Sequence, residues 1–409
     1  MTRTPGVAVK SFDAIEAALA SVALPNCGVV PSRIAKLRRS ARILDFIARR
    51  TPPRSHVTAR EPQRIGILLQ WGIGDAVLAL PMIEGLARAH PGAPIDLIGK
   101  PWLADLFSGE SWFGATHELV PPWTRTHGKY RWWKSEWRQY ARQLFALRKT
   151  HFDLLVGIRF DPREVVQLRL LNAARRCGVV GAGGKAWITD PVTVAPEDYY
   201  RSYRADYSAL AIEQLTGRKQ ESCPRLKVDD AARAAALAKL RAAGYQGGTI
   251  VCVHNGAGNP IRQWRASSFV TVLESVRTLS PFVVLIDDGI DARGPRIDRP
   301  RSLRSTVWKS DLAGLKALLS VANVLLCCDS GVMHIGAACG CHVAAIFGPT
   351  SPQAFFPRGR AHQLIMVEPM DCRPCLDSCI YSRPICMDGI TEDAVCKALQ
   401  RAIVESTSV

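Results

Sequence analysis

The sequence has no apolar run long enough to span a bilayer, and no long apolar core follows Met1. These two absences predict a cytoplasmic protein without a secretory leader. Acidic residues are also scarce, because 36 Asp and Glu stand against 53 Lys and Arg, which gives a formal net charge of +17. Such an excess favours an acidic partner, which is an anionic membrane surface, a phosphorylated glycolipid or nucleic acid.

The positive charge is concentrated in residues 33–54 and 125–149, which together hold 14 of the 17 excess charges. In the first segment, one helical face carries small and apolar residues: Ile34, Leu37, Ala41, Leu44 and Ala48. We predict a basic amphipathic helix that either lies on a membrane or docks on the body of the protein.

The second basic segment also contains three tryptophans: Trp132, Trp133 and Trp137. A basic, aromatic-rich surface suits an acceptor sugar that carries carboxylates or phosphates. Alternatively, the tryptophans belong to the core and the charges are solvated. Nucleic acid is not expected here, because the chain carries no nucleic-acid-binding motif.

The length of 409 residues exceeds what one core usually serves, and apolar strands alternate with helical segments along the chain. This alternation predicts parallel sheets covered by helices. It begins at residues 64–70 and restarts at residues 249–254. We therefore predict a basic extension over residues 1–60, a Rossmann-like domain over 61–222 and a second one over 223–409.

The most specific turn is Asp329-Ser330-Gly331-Val332-Met333-His334, between an apolar strand and a small-residue helix. Backbone N–H groups at such a helix start point at one place, where the helix dipole favours an anion. Asp329 can accept hydrogen bonds from these amides or from a ligand hydroxyl, and His334 lies near the helix start. A second strand-end loop, Gly348-Pro349-Thr350, follows closely, and the two loops together predict a site for a nucleotide sugar.

An earlier glycine turn, residues 72–75, lacks the third glycine of a dinucleotide fingerprint, so a nicotinamide cofactor is not indicated. Asp75 follows a buried strand, at the sheet edge where α/β proteins bind ligands. It is either a general base or the cap of the next helix. In the second half, a glycine loop at residues 255–258 precedes Arg262, which either binds a diphosphate or is a surface arginine.

Thirteen cysteines are present, and four of them lie within fifteen residues: Cys372, Cys375, Cys379 and Cys386. In a reducing compartment such a group is more often a metal site than a set of disulfides. Four thiolates suit structural zinc or iron. The alternative is a packed loop of free thiols.

These motifs occur in one order: Gly74-Asp75 with Pro81 downstream, the glycine loop with Arg262, the Asp329 turn and Phe347-Gly348-Pro349-Thr350. In order and spacing they resemble the heptosyltransferase family, glycosyltransferase family 9, over about residues 63–405. The resemblance implies an α/β fold of the GT-B class, with two Rossmann-like domains facing each other across an active-site cleft. It also implies inverting transfer from ADP-heptose to an acidic acceptor of the lipopolysaccharide inner core, with no cofactor required.

The same resemblance assigns roles to individual residues. Asp75 becomes the general base, with Gly74 beside it in the substrate site, and Arg262 lies against the diphosphate, where the family usually has lysine. The donor turn consists of Asp329, the amides of Ser330, Gly331 and Val332, and His334 nearby. Asp288 or Asp291 remains for the ribose hydroxyls.

Three alternatives stay open from the sequence. The chain is a family 9 enzyme that acts on a protein or another glycan, a non-catalytic nucleotide-sugar-binding protein, or a nucleic-acid-binding protein driven by its charge. For the enzyme, the basic segments favour a peripheral position on the inner face of the inner membrane.

Overall fold

The computed structural model describes residues 6–10, 29–51, 61–124, 135–195, 199–200, 202–287, 296–359 and 362–407. The chain divides into two compact units. The first unit is residues 31–224, and the second is residues 225–409 together with the amino-terminal residues up to Val30. The predicted extension 1–60 therefore contributes residues to both units.

Strands are numbered in chain order: β1 (Gly6–Lys10), β2 (Ile65–Leu69), β3 (Ile95–Gly99), β4 (Phe113–Glu118), β5 (Phe152–Gly157), β6 (Ala173–Val179), β7 (Asp190–Val192), β8 (Ile250–His254), β9 (Phe282–Ile286), β10 (Ser305–Trp308), β11 (Val324–Cys328), β12 (His342–Phe347) and β13 (Gln363–Glu368). The helices are α1 (Val29–Arg50), α2 (Ile73–Leu78), α3 (Leu80–Ala89), α4 (Leu103–Phe107), α5 (Ser135–Leu147), α6 (Pro162–Leu170), α7 (Arg204–Thr216), α8 (Asp230–Ala242), α9 (Ala266–Ser275), α10 (Leu312–Leu319), α11 (Gly331–Ala338), α12 (Pro352–Phe355), α13 (Ile385–Asp388) and α14 (Glu392–Ser406).

The first unit contains a six-stranded sheet in the order β4-β3-β2-β5-β6-β7, and every neighbouring pair is parallel. Every residue of β2 and β3 is buried. Continuous apolar strands of this kind are typical of parallel sheets covered on both faces. Because β2 and β5 are neighbours, their carboxyl ends open onto the same edge of the sheet.

The helical segment after β2 is divided in two. It forms α2 and α3 with Ala79 between them, and Pro81 lies in the first turn of α3. Proline lacks the N–H that would continue the helical ladder, and its ring crowds the carbonyl four residues earlier. The break therefore falls just before the proline, and α2 becomes a short helix behind the glycine turn.

Helix α1 docks on the first unit by the apolar face that the sequence indicates. Ile34, Ala41, Leu44 and Ala48 are buried. Two polar contacts fix its carboxyl half: the backbone N–H of Lys185 donates to Asp45 Oδ1 at 3.0 Å, and Trp187 Nε1 donates to the Thr51 carbonyl at 2.9 Å. At the closest approach, a Cβ added to Gly183 would lie 2.5 Å from the Cα of Ala41.

The second unit contains a seven-stranded sheet in the order β1-β13-β12-β11-β8-β9-β10. All of its pairs are parallel except β1 with β13, which is antiparallel, with Gly6 opposite Glu368 and Lys10 opposite Leu364. The sequence places residues 6–10 in an extension, yet Val7 and Val9 pack against the core of this unit. Within the described residues, no helix is both long and apolar enough to cross a membrane.

We expect Gly183→Ala to lower the free energy of unfolding more than Gly92→Ala does. Both glycines have a φ close to +90°, which an alanine adopts only with strain, but the Gly92 position is open whereas Gly183 meets α1. The difference, about 1–3 kcal/mol of overpacking, is measured by urea unfolding of the two variants. Equal losses would show that α1 is not held against Gly183.

Candidate active site

A pocket that is open to solvent lies in the first unit at the carboxyl ends of β2 and β5. Its polar lining comes from the segments that follow these strands, from Tyr199 and from the amino-terminal half of α7: Gln70, Asp75, Arg159, Glu164, Tyr199, Arg204, Tyr207 and Ser208. The predicted base, Asp75, therefore lies in a pocket with two arginines and a second carboxyl group.

Asp75 is held by both of its oxygens. Its Oδ2 accepts a hydrogen bond of 3.1 Å from the backbone N–H of Gly72, at the start of α2, so the capping role considered from the sequence is present. Its Oδ1 is 2.8 Å from the guanidinium of Arg159. The side chain keeps 33% of its surface exposed, so the carboxylate is both oriented and accessible from the pocket.

Burial alone would raise the pKa of the Asp75 carboxyl, but Arg159, the Gly72 N–H and the more distant Arg204 outweigh it and lower the pKa. For Arg159, burial opposes the charge, while Asp75 more than compensates and raises its pKa. The guanidinium also lies 4.0 Å from the ring centroid of Trp71. Asp75 is thus an ionised group at neutral pH with one oriented cation beside it.

Glu164, on the first turn of α6, is the second carboxyl group in the pocket, and only 4% of its surface is exposed. Its Oε1 accepts a hydrogen bond of 2.8 Å from the backbone N–H of Arg159. Burial, assisted by the charges of Asp161 and Asp75, raises the pKa of Glu164 to about 8. Glu164 is therefore neutral at pH 7 and holds the segment that carries Arg159.

The remaining wall of the pocket is aromatic and basic. Tyr207 donates a hydrogen bond to the carbonyl of Ile158, and burial raises its pKa well above the usual value. Arg204 lies 3.8 Å from the ring centroid of Tyr199. With Arg159, Arg204 gives the pocket two cations, which suits a ligand with negative charge.

The tryptophan-rich basic segment is described only in part, since Trp132 and Trp133 lie outside the described residues. Trp137 is partly buried and packs against the core of the first unit, with its ring centroid 5.8 Å from that of Trp123 and 6.4 Å from that of Tyr140. For Trp137 the structure favours the core interpretation over an exposed contact with an acceptor.

In the second unit, Asp329 follows β11 and is 3% exposed. Its Oδ2 accepts a hydrogen bond of 2.6 Å from the hydroxyl of Thr350, the residue that ends the Phe-Gly-Pro-Thr segment after β12. The same oxygen is 3.2 Å from the guanidinium of Arg262. The parallel pairing of β11 with both β8 and β12 brings these three segments to one sheet edge.

Arg262 is engaged by two carboxylates. Besides Asp329, it meets Asp377 in a bidentate pair, with Nε–Oδ1 at 2.8 Å and Nη2–Oδ2 at 2.6 Å. Asp377 lies between two of the clustered cysteines and has a φ of 66°. A diphosphate that binds Arg262 would therefore have to displace a carboxylate that is already paired with this arginine.

The amides proposed for the donor stand at the start of α11, where Ser330 is the N-cap residue and Gly331 and Val332 open the helix. The Ser330 hydroxyl lies 3.5 Å from Nδ1 of the buried His254. His334 is also buried, at 5% exposure, inside the same helix. The alternative ribose contacts, Asp288 and Asp291, lie outside the described residues.

The four clustered cysteines, Cys372, Cys375, Cys379 and Cys386, line one small cavity together with Gly348 and Pro349. Burial, and then the neighbouring thiols, raise the pKa of Cys375 to about 11, and burial likewise raises the pKa of Cys386. The donor set suits zinc or iron. In this conformation, however, the described residues include no three His, Cys, Asp or Glu side chains placed to hold a metal ion.

Several site residues were not anticipated from the sequence. Arg159 stands just beyond the carboxyl end of β5, so the rule that located Asp75 at a strand end applies to it as well. Glu164, Arg204 and Asp377 had no local signal, because their importance comes from partners that are distant in the sequence. Asp377, for example, is paired with a residue 115 positions away.

A family model described as glycosyltransferase family 9 (heptosyltransferase) matches residues 147–383, more than half of the chain. Lipopolysaccharide heptosyltransferase 1 of Pseudomonas aeruginosa is 22% identical over 333 residues, which are 78% of this chain and 88% of that protein.

Among solved structures, ADP-heptose lps heptosyltransferase II of E. coli has a TM-score of 0.64 at 16% identity, over 84% of this chain and 99% of that one. The iron-containing dodecameric glycosyltransferase TibC of enterotoxigenic E. coli has a TM-score of 0.51 at 13% identity, over 85% and 77%. These likenesses and the two parallel sheets confirm the predicted α/β fold of the GT-B class, with two Rossmann-like domains.

Replacing Glu164 by Gln should change the pH dependence of stability. The folded-state pKa near 8 exceeds the usual 4.5, so the folded protein holds a proton that the unfolded chain releases between these values. The contribution of Glu164 to stability is thus complete below pH 4.5 and lost as pH rises towards 8. Glutamine stays neutral throughout.

The measurement is urea unfolding of wild type and Glu164→Gln at pH 6, 7, 8 and 9, with the exposed Glu118→Gln as control. We expect the free energy of unfolding of the variant, relative to that of wild type, to rise by up to about 1.4 kcal/mol per pH unit until pH 8. Above pH 8 the difference between the two proteins should stay constant. Parallel curves for the two proteins would show that Glu164 is ionised in the folded state at neutral pH.

Proposed function

This chain belongs to glycosyltransferase family 9, the heptosyltransferase family, and from that premise we propose that it transfers a heptose from ADP-heptose to an acidic acceptor of the lipopolysaccharide inner core. The observation that carries the proposal is Asp75, an oriented carboxylate in an open pocket, paired with Arg159 and with Arg204 farther away in the same lining. Two relatives, a lipopolysaccharide heptosyltransferase and an ADP-heptose heptosyltransferase, support the same donor and acceptor.

In the proposed reaction, an acceptor hydroxyl attacks the anomeric carbon of the heptose while the bond to the ADP β-phosphate breaks. The electron pair of that bond leaves with ADP, and the configuration at the anomeric carbon inverts. The hydroxyl proton passes to the Asp75 carboxylate. A carboxylate with a lowered pKa is a weak base at rest, but the proton becomes acidic as the new bond forms, so the transfer is favourable in the transition state.

The donor is assigned to the second unit, where Arg262, Asp329 and the amides at the start of α11 lie together. Helix amides and a cation stabilise the charge that develops on a departing diphosphate. Asp329 accepts from Thr350 and is paired with Arg262, so we assign it the role of positioning these two groups around the diphosphate. No cofactor is part of the proposed reaction. Gly74, in α2 beside Asp75, is assigned to the substrate site as the neighbour of the proposed base.

For the acceptor, the two arginines in the pocket suit a sugar with phosphate or carboxylate groups. Because the lipid part of such an acceptor lies in a membrane, we place the enzyme in the cytoplasm, peripheral to the inner face of the inner membrane.

We expect Asp75→Asn to lower kcat by about 10²–10⁴-fold while the dissociation constant for ADP-heptose stays within about threefold, since a general base acts on the acceptor side. The exposed Asp105→Asn in the same unit serves as the control and should keep wild-type activity. The assay follows ADP release from ADP-heptose with and without a deacylated core acceptor. Loss of donor binding in Asp75→Asn would assign a structural role instead.

The wild-type arms of this assay separate the alternatives. Release of ADP that requires the core acceptor would support the proposal. Donor binding by calorimetry without release would contradict the core acceptor and direct the search to protein or other glycan acceptors, or to a non-catalytic protein. Absence of binding would exclude ADP-heptose as the donor.

The cysteine cluster enters the proposal as a structural metal site for zinc or iron, in line with the iron-containing glycosyltransferase TibC, whose structure is similar. Cys372, Cys375, Cys379 and Cys386 would hold the ion, which would supply no chemistry to the transfer. The connection to function runs through Asp377, since the loop that the metal would order also carries the partner of Arg262.

We expect freshly purified protein to contain about one equivalent of zinc or iron, measured by elemental mass spectrometry. The double variant Cys375→Ser/Cys386→Ser should lose the metal and bind ADP-heptose more weakly, whereas Cys223→Ser, an exposed cysteine outside the cluster, should keep both. A stable, metal-free wild-type protein would refute the metal site and leave the four residues as packed thiols.

A further inference from the structure

Helix α1 carries a second apolar patch, on the side opposite its docked face. Ile43, Phe46 and Ile47 are 58%, 59% and 44% exposed. Residues separated by three and four positions share one face of a helix, so these side chains form a continuous patch. Burial of the face defined by Ala41 and Ala48 fixes the direction in which the patch points.

Cations border this patch on the same helix. Arg39, Arg42, Arg49 and Arg50 are all exposed. The guanidinium of Arg50 lies 3.5 Å from the ring centroid of Phe46, so the cation and the apolar surface are one structural unit. The acidic residue of this stretch, Asp45, accepts a hydrogen bond from Lys185 on the docked side.

We propose that the patch Ile43-Phe46-Ile47 and its surrounding arginines form a docking surface for a membrane rich in anionic phospholipids. Apolar side chains of such a helix enter the boundary between headgroups and acyl chains, while long arginine side chains reach the phosphates. This binding mode needs apolar and cationic groups interleaved on one exposed helix face, and α1 has that arrangement.

The charge argues against the other occupants of the patch. In a symmetric dimer the same surface meets itself, so the arginines of one copy would face those of the other. Nucleic acid would satisfy the arginines but would leave the aliphatic side chains of Ile43 and Ile47 without a partner. A membrane with negative headgroups satisfies both kinds of group. The inference rests on the proposed function only for the location of the protein, because lipid binding itself requires no transfer.

The test is co-sedimentation of the full chain with vesicles of phosphatidylcholine alone or with one quarter phosphatidylglycerol. We expect binding to the anionic vesicles that weakens at least tenfold between 50 and 300 mM salt, and at least tenfold less binding to neutral vesicles. Ile43→Ser/Phe46→Ser/Ile47→Ser should lose at least tenfold in affinity at unchanged melting temperature. The matched control is Val404→Ser on α14, whose side chain is 54% exposed and which should bind like wild type.

Three outcomes would overturn the proposal: no vesicle binding by wild type, equal binding by the triple variant, or a wild-type dimer in lipid-free solution that the triple variant abolishes. If the triple variant is destabilised, Arg39→Glu/Arg42→Glu, which leaves the docked face intact, replaces it with the same expected loss. Transfer to the deacylated, soluble acceptor is measured alongside. If that transfer fails while vesicle binding is intact, the proposed function is refuted and the proposed membrane docking stands.

Discussion

Parallel strands that lie side by side end at the same edge of their sheet, and the positions of both groups of charged residues depend on this constraint. In the first unit, β2 and β5 are neighbours, so Asp75 and Arg159 arrive at one edge from segments far apart in the sequence. In the second unit, β8, β11 and β12 deliver Arg262, Asp329 and Thr350 in the same way. A slip of one strand by a residue would separate these partners although every residue was still present.

The central charged groups of both sites are paired within their own unit. Asp75 has Arg159, and Arg262 has Asp329 and Asp377. Such pairs keep the groups oriented before a ligand arrives, which lowers the reorganisation needed when charge develops. They also impose a selection, because an anion binds Arg262 only if it interacts with this arginine better than the Asp377 carboxylate does.

Much of the fold could be predicted from the sequence, because apolar strands followed by glycine turns are local signals that do not depend on the rest of the chain. The Asp329 turn and the strand before Asp75 are of this kind, and both have the predicted form. Partnerships between distant residues gave no such signal. The role of Glu164 depends on its hydrogen bond with the backbone N–H of Arg159, which exists only in the folded chain. The pairing of Arg262 with Asp377 likewise depends on the path of the cysteine loop.

The strand β1 was missed for a related reason, since five residues with two valines are a weak local pattern. Its pairing with β13 has a consequence for synthesis of the chain on the ribosome. Gly6 must wait until Glu368 has been made before the two can pair, whereas residues 31–224 can complete their own sheet in the meantime. Strand β1, which is translated before the other described strands, is therefore among the last to be placed, and it closes the edge of a sheet whose other members come from the second half of the chain.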